Sequence, residues 1–537
     1  MQTTVSPREA LAARAANLRS SFFTRERLTD ATAILLYLAA LDFVAHVAFG
    51  NNYGYFRDEL YYMAAGRHLA FGYVDFAPFI AWMAALLRFT TNDNLIALHV
   101  VSGAASAALV FTTGMIAREL GGKRAAQVIA ALAALVNITF LAMGSIFSYD
   151  AFDELWWALA FYVFIRLMRR NQPRLWLVFG LFAGLDLFTK ATGLYFGLAL
   201  VIALLCTSAG RAQFRTRWIY LGGAIAVAFL VPYILWNTAN GAPTLQFYAI
   251  YSQRLVIQSP LSFLAQQLYT MNPLTAPLWL VGLWWFLRAP AAKPYRALGV
   301  MYLVLFVIFA LESAKTYFLA PAYPMLYAAG AGVFERAYER ARSGRRWVLP
   351  SYVGVMVLTG VLLAPLAMPI LPPATWAQAY GFLGGDAGAQ MEKHTTGVLP
   401  QWLADRFGWD TLTAQVTAVY HALPADEQKQ ACIIAGNYGE AGAIAYLGAH
   451  NNLPPVISTH NNWFVWGPGT CTGSVLIVVG GGFDLSQLQA NFGSVRTVGT
   501  TSCNYCMPYE DGVPIYVASQ PKFPNLRTVW PTIKNYS

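Results

Sequence analysis

The stretch Tyr55-Phe56-Arg57-Asp58-Glu59-Leu60-Tyr61-Tyr62 sets two adjacent carboxylates beside an arginine and four aromatic rings. It stands about eight residues past an apolar run, where ionisable groups are costly and usually kept for function. Asp58 and Glu59 are therefore candidate catalytic groups, since a carboxylate so placed can take the proton of an attacking hydroxyl. Arg57 and Tyr62 flank them as candidate substrate contacts. The plainer alternative is a solvated loop whose carboxylates stay in water.

Composition supplies the frame for these residues. Of 537 residues, 57 % are hydrophobic and only 12 % charged, against roughly 25 % charged in a water-soluble chain; mean hydropathy is +0.45. Apolar runs of spanning length lie at about 31–50, 96–117, 125–146, 151–168, 174–189, 191–209, 217–236, 274–288, 297–312, 316–335 and 348–370. They predict a polytopic α-helical membrane protein with about eleven transmembrane helices. Residues 78–88 are too short to span and read as an interfacial helix.

Charge supports the alternation. Loops 118–124, 166–174, 211–217, 288–296 and 336–346 carry eighteen Lys/Arg. The alternate set carries six: Arg57, Arg67, Arg88, Lys190, Arg254 and Lys315. The basic set belongs in the cytoplasm, with residues 1–30 as a basic amphipathic helix on the inner leaflet. No apolar core with a small-residue cleavage site precedes the first span, so a cleaved signal is not expected. The formal charge of +10 then reflects this bias toward anionic lipid, and nothing resembles a nucleic-acid platform.

On this topology the unusual polar groups share one side. Arg57-Asp58-Glu59, Asp75, the stretch Ser148 to Glu154, Lys190 and Lys315 all fall at external helix ends. Asp150, in a tight loop, is well placed to face a substrate. Asp153 and Glu154 open a helix, where negative charge also serves the N-terminus. Lys190 and Lys315 are candidate cations for an anionic ligand, or else snorkelling anchors. The aromatic, amide-rich loop 237–273 fits a ligand cover or an interfacial amphipathic helix.

In order, Arg57-Asp58-Glu59-Leu60-Tyr61-Tyr62, Gly72-Tyr73-Val74-Asp75 with Pro78, Ile116 to Gly122, Ser148 to Trp157, and Lys315-Thr316-Tyr317 through Pro324 resemble the GT-C membrane glycosyltransferases. The closest likeness is to the branch grouping dolichyl-phosphate-mannose protein mannosyltransferases with the lipid A aminoarabinose transferase, over about residues 30–335. The resemblance implies a GT-C fold in a bacterial inner membrane and inverting transfer of a sugar from a polyprenyl-phosphate carrier to an acceptor hydroxyl on the periplasmic face. It makes Asp58 the general base, with Asp75, Asp150, Asp153 and Tyr317 in substrate-contacting motifs. Arg57, Lys190 and Lys315 would hold the departing lipid phosphate, the arginine by two prongs and the lysines as point charges. A glycan, lipid or protein acceptor is equally compatible.

The chain also departs from the pattern. Some members have Glu-Lys-Pro-Pro where Asp75-Phe76-Ala77-Pro78 stands, and an arginine where this chain has Tyr61. Phosphate binding must then shift, to Arg57 or Lys190, or the donor differs. No external His cluster stands at ligand spacing, so no metal ligands are assigned, though a divalent ion stays open. A ligase or polymerase of lipid-linked saccharides normally lacks the Arg-Asp-Glu-Leu-Tyr-Tyr loop. A lipid flippase or transporter would place polar groups near the midplane, where only Asp186 stands out. A scaffold would use the external charges as anchors.

After Pro369 and Pro372-Pro373 the character changes: residues 374–537 hold ten Asp/Glu and seven Lys/Arg. Residues 373–537 read as a small periplasmic α/β domain following a membrane domain over 31–372, with strands at 432–436, 475–479 and 514–518. The turn Gly436 to Gly442 resembles a phosphate loop only loosely, since small residues there also serve strand–helix packing. The amides and indoles of His460 to Gly467 suit sugar or headgroup contact as well as an interface anchor. Cys432, Cys471, Cys503 and Cys506 predict pairing in an oxidising compartment, with three connectivities open.

Overall fold

The computed structural model describes residues 31–382, 392–393, 395 and 397–536; the expected amphipathic segment 1–30 lies outside the described residues. Every apolar run among them is helical. Five helical stretches are long and apolar enough to cross a membrane: Ala31–Phe49, Leu95–Glu119, Arg217–Ala239, Pro290–Leu311 and Ser343–Ala367. A sixth forms if the bent pair Arg124–Leu135 and Ile138–Gly144 counts as one span. The molecule is a multi-pass membrane protein, and its helices leave apolar side chains such as Leu41, Val227, Leu235 and Leu362 exposed.

Physical reasons account for the shorter runs. The bent pair turns by 62° at Asn137, whose side chain accepts from Phe140 N–H (3.2 Å) and donates to Tyr327 (2.9 Å), replacing ladder bonds at the break. Leu175–Thr189 and Gly193–Cys206 are separated where Lys190 turns extended (φ −154°, ψ 143°), which presents its side chain at the helix end. The helices pack tightly through small residues: a Cβ on Gly180 would collide with the Gly222 carbonyl, and one on Gly282 with the Leu326 carbonyl.

The helix Tyr149–Arg170 orients the bundle. Its first turn holds Asp150, while Arg166, Arg169 and Arg170 near its other end surround Glu119 at 3.8, 3.2 and 3.6 Å. The acidic start and basic finish complement the helix dipole. The predicted interfacial stretch forms the helix Phe79–Thr91, which leaves Trp82, Leu86 and Phe89 exposed.

The C-terminal region is built on a five-stranded sheet of order β2-β1-β3-β5-β4. Its strands are β1 (Ala431–Ala435), β2 (Val456–Ser458), β3 (Val475–Val479), β4 (Phe492–Thr500) and β5 (Pro514–Pro521). β1 runs parallel to β2 and β3, whereas β5 is antiparallel to β3 and β4. Sequence patterning locates β1, β3 and β5 but not β2, which has three residues, nor β4, whose exposed and Gly-containing edge carries a register shift at Thr497/Gly499. The disulfides are Cys432–Cys471 and Cys503–Cys506, so the latter pair bonds to itself.

Because side chains alternate across a sheet, Cys432, Ile434, Leu476 and Val478 form one core while Ile433, Ile477 and Val517 face the other way. That second face joins Trp409, Ala441 and Ile444 in a cluster that also contains Leu60, Tyr61 and Met63. One hydrophobic core thus unites the C-terminal sheet with the helix Arg57–Ala65.

Candidate active site

The helix Arg57–Ala65 begins at Phe56, and Glu59 closes the capping box by accepting from Phe56 N–H at 2.8 Å. This separates the two adjacent carboxylates. Glu59 turns inward, fully buried, and also accepts from Phe147 N–H (2.7 Å) and meets His99 Nε2 (2.9 Å). Buried and held by partners from three segments, Glu59, expected as catalytic, is placed as a structural clamp between them. Burial alone would raise its pKa, but His99, Arg406 and the Phe147 N–H together hold it below the ordinary value.

Asp58 turns the other way and keeps 29 % of its side-chain surface exposed. Its Oδ1 accepts from the Tyr438 hydroxyl at 2.8 Å and lies 3.7 Å from Arg57 Nε. Among the described residues no group donates to Oδ2. Burial pushes Asp58 above the usual carboxylate range, against the pull of Arg57, the Tyr438 bond and Lys315. A carboxylate raised toward neutral pH is a better general base.

The other predicted residues gather around it. Tyr62 is buried, with its ring 5.9 Å from Tyr149 and 5.1 Å from Phe76. Lys190 Nζ bridges Asp150 (2.7 Å) and Asp153 (3.1 Å). Asp150 is set by Ser148, whose hydroxyl caps the helix. Asp153 is buried and also accepts from the Thr192 hydroxyl at 3.5 Å, so it supports Lys190 from the interior of the protein. The Tyr317 ring is shared by both lysines, with Lys190 Nζ 5.2 Å and Lys315 Nζ 5.8 Å from its centroid. Lys315 pairs with Glu392 at 2.6 Å.

The 237–273 loop positions that lysine. It folds into helices Pro243–Tyr251 and Pro260–Thr270. From these, Gln267 donates to the Thr316 carbonyl (3.0 Å) and the Tyr251 hydroxyl donates to Glu392 (2.6 Å). Every predicted cation therefore has a carboxylate neighbour, since Arg57 lies 3.5 Å from Asp405.

Asp75 accepts from the Tyr61 hydroxyl (2.9 Å), Asn461 (2.9 Å) and Asn462 (3.1 Å). Burial nevertheless raises its pKa to about 7. Between pH of about 4 and 7 the folded chain then holds a proton that the unfolded chain releases, so this group lowers stability as pH rises through that window. Asp75→Asn should remove the slope: melting curves at pH 5 to 8 are expected to shift in the variant's favour with rising pH. Parallel curves for the two proteins would contradict it.

Sequence reasoning missed the contribution of the C-terminal region. Tyr438, Asn461, Asn462 and Tyr509 all touch predicted site residues. The stretches Gly436 to Gly442 and His460 to Gly467, which hold three of these residues, stand out in the sequence, whereas Tyr509 does not. Asn461 and Asn462 hold Asp75 rather than facing a sugar or headgroup. The Gly436–Gly442 turn is no anion site, because Gly436 N–H (2.8 Å) and Asn437 N–H (3.0 Å) already donate to Glu440. Its glycines serve close approach: a Cβ on Gly439 would strike the Arg57 side chain, and one on Gly442 would sit 3.0 Å from the Leu60 carbonyl. Among the described residues no group of three His, Cys, Asp or Glu side chains gathers as a metal site.

Residues 75–236 match the family model described as dolichyl-phosphate-mannose-protein mannosyltransferase. The match takes in Asp75, Asp150, Asp153 and Lys190 but not Asp58. No curated protein matches by sequence. Among solved structures, ArnT from Cupriavidus metallidurans bound to undecaprenyl phosphate is similar with a TM-score of 0.57 at 13 % identity, covering 91 % of this chain and 99 % of that one. The apo state of the same protein gives 0.56 at 14 % identity, with coverages of 91 % and 99 %. Arabinofuranosyltransferase AftD from Mycobacteria gives 0.52 at 13 % identity, covering 91 % of this chain and 40 % of that one. The chain is a multi-pass membrane protein of the GT-C glycosyltransferase fold, resembling the protein mannosyltransferases and ArnT, with a small C-terminal sheet domain.

Proposed function

We propose that this protein is an inverting glycosyltransferase that moves a sugar from a polyprenyl-phosphate carrier to an acceptor hydroxyl on the periplasmic face of the inner membrane. The observation that carries the reading is Asp58: Tyr438 fixes one oxygen and, among the described residues, no group donates to the other. Tyr62 packs on Tyr149, Tyr149 and Tyr317 lie against Lys190, and Tyr317 also lies against Lys315. Asp58 Oδ2 takes the acceptor's proton, and the hydroxyl oxygen attacks the anomeric carbon from the side opposite the phosphate. The bond from that carbon to the phosphate oxygen breaks, and its electron pair leaves with the lipid phosphate. Lys315 and Lys190 receive the growing negative charge by exchanging part of their carboxylate contacts.

Arg57 keeps Asp58 ionised, while Asp75 and Asp150 are the nearest candidates for hydroxyls of either substrate. The family match and the fold shared with ArnT support this chemistry, and ArnT's binding of undecaprenyl phosphate points to a donor of the same class. Residues 31–372 form the catalytic membrane domain in this reading, and residues 373–537 the external one. Purified full-length protein should transfer sugar from at least one member of a panel of undecaprenyl-phosphate monosaccharides to a glycan, lipid or peptide acceptor. NMR of the product is expected to show an inverted anomeric centre. Retention would remove direct displacement. Saturable undecaprenyl-phosphate binding with no transfer from any donor would favour a lipid flippase.

A further inference from the structure

We infer that the C-terminal domain is a working part of the active centre, with Tyr438 as the positioning residue that aims Asp58. This deepens the reading of Asp58 as the base and rests on it. Three separate elements of the domain each grip one member of the site. The Tyr438 hydroxyl donates to Asp58 Oδ1 at 2.8 Å. Asn461 and Asn462 donate to the two oxygens of Asp75 at 2.9 and 3.1 Å. Tyr509 accepts from Arg57 at 2.9 Å and donates to Asp405 at 3.2 Å. Lifting the domain away would break all of these contacts at once.

Tyr438 is itself held in place. Its ring stacks with Tyr61 (4.4 Å, 19°) and with His460 (5.1 Å, 21°), and the Arg57 guanidinium lies 5.2 Å from its centroid. Its N–H donates to His460 Nδ1 at 3.2 Å. It opens the helix Tyr438–Leu447, whose Gly439 and Gly442 let the backbone close on Arg57 and Leu60. A rigid donor on one carboxylate oxygen stops the carboxylate from rotating, so Oδ2 keeps one orientation. Such a bond also favours the ionised form of Asp58. The charged groups that face Asp58 are Arg57, Asp75, Lys315, Glu392 and Asp405, and two further tyrosines, Tyr62 and Tyr149, stand close to it.

Tyr438→Phe keeps the ring and removes only the hydroxyl. The test compares it with wild type and Asp58→Asn as full-length protein in lipid nanodiscs, using the undecaprenyl-phosphate monosaccharide that wild type accepts. A lost hydrogen bond to a charged group should lower kcat by about 10- to 100-fold. KM for the donor should stay within about twofold, and the melting temperature should hold. The acid limb of kcat should move up by about one pH unit, a shift that a merely structural residue would not produce. Wild-type kcat and an unmoved acid limb in Tyr438→Phe, with Asp58→Asn inactive, would overturn the positioning role. So would a joint loss of activity and undecaprenyl-phosphate binding, which would mark Tyr438 as a folding residue. Retained activity in Asp58→Asn would remove the base and the positioning role together, which separates that failure from one of Tyr438 alone.

Discussion

Asp58→Asn is expected to lower sugar transfer by roughly 10²- to 10⁴-fold, the usual contribution of a general base, while leaving the fold intact. The substitution keeps the side-chain shape and removes the negative charge and the carboxylate oxygen that receives no hydrogen bond among the described residues. Asp58 contributes little to stability, because burial disfavours its charge and Arg57, Tyr438 and Lys315 only partly offset that cost. The melting temperature should therefore stay near the wild-type value, and undecaprenyl phosphate should bind as before. In the wild type the acid limb of the rate profile should lie above the ordinary carboxylate range, following the raised pKa. Full activity in the variant would transfer the base role to Asp150 or Asp75.

Its neighbour should behave in the opposite way. Glu59→Ala is expected to cost about 3–5 kcal/mol, the penalty for breaking a buried charged network by removing one partner. Three donors would be stranded: the N–H groups of Phe56 and Phe147, and His99. Against a total stability of roughly 5–15 kcal/mol, the variant should give little folded protein and a strongly lowered melting temperature in detergent. The folded fraction should still bind undecaprenyl phosphate. Because the folded-state pKa of Glu59 is depressed, its stabilisation is present above the unfolded value and is lost as pH falls through the folded one. A variant that melts like the wild type yet transfers no sugar would return Glu59 to the chemistry.

The contrast between these neighbours shows where reading the chain alone stops. Asp58 and Glu59 are alike in type and both stand past the first apolar run, so composition and spacing treat them as one acidic pair. A helix rotates consecutive residues by about 100°. Only the packing of that helix, which sets Glu59 against His99 and Phe147 and leaves Asp58 partly exposed, decides which carboxylate is buried and which is free. The same holds for Asp150 and Asp153, which both reach Lys190 although the second is sealed behind it.

What the sequence by itself determined was the membrane class, the helical runs, the gathering of Arg57, Asp58, Tyr62, Asp75, Asp150, Lys190, Lys315 and Tyr317 at one end, and the α/β character of the C-terminal region. Those features follow from hydropathy, loop charge and local motifs, which act over a few turns of chain. Tertiary structure alone decided that Tyr438, Asn461, Asn462 and Tyr509, nearly four hundred residues or more further along the chain, touch the candidate site residues Asp58, Asp75 and Arg57. It also showed that the glycine-containing turn, only loosely like a phosphate loop, serves close packing, against Arg57 and Leu60. Contacts across such separations leave no periodicity in the chain, because they depend on how two folded surfaces meet.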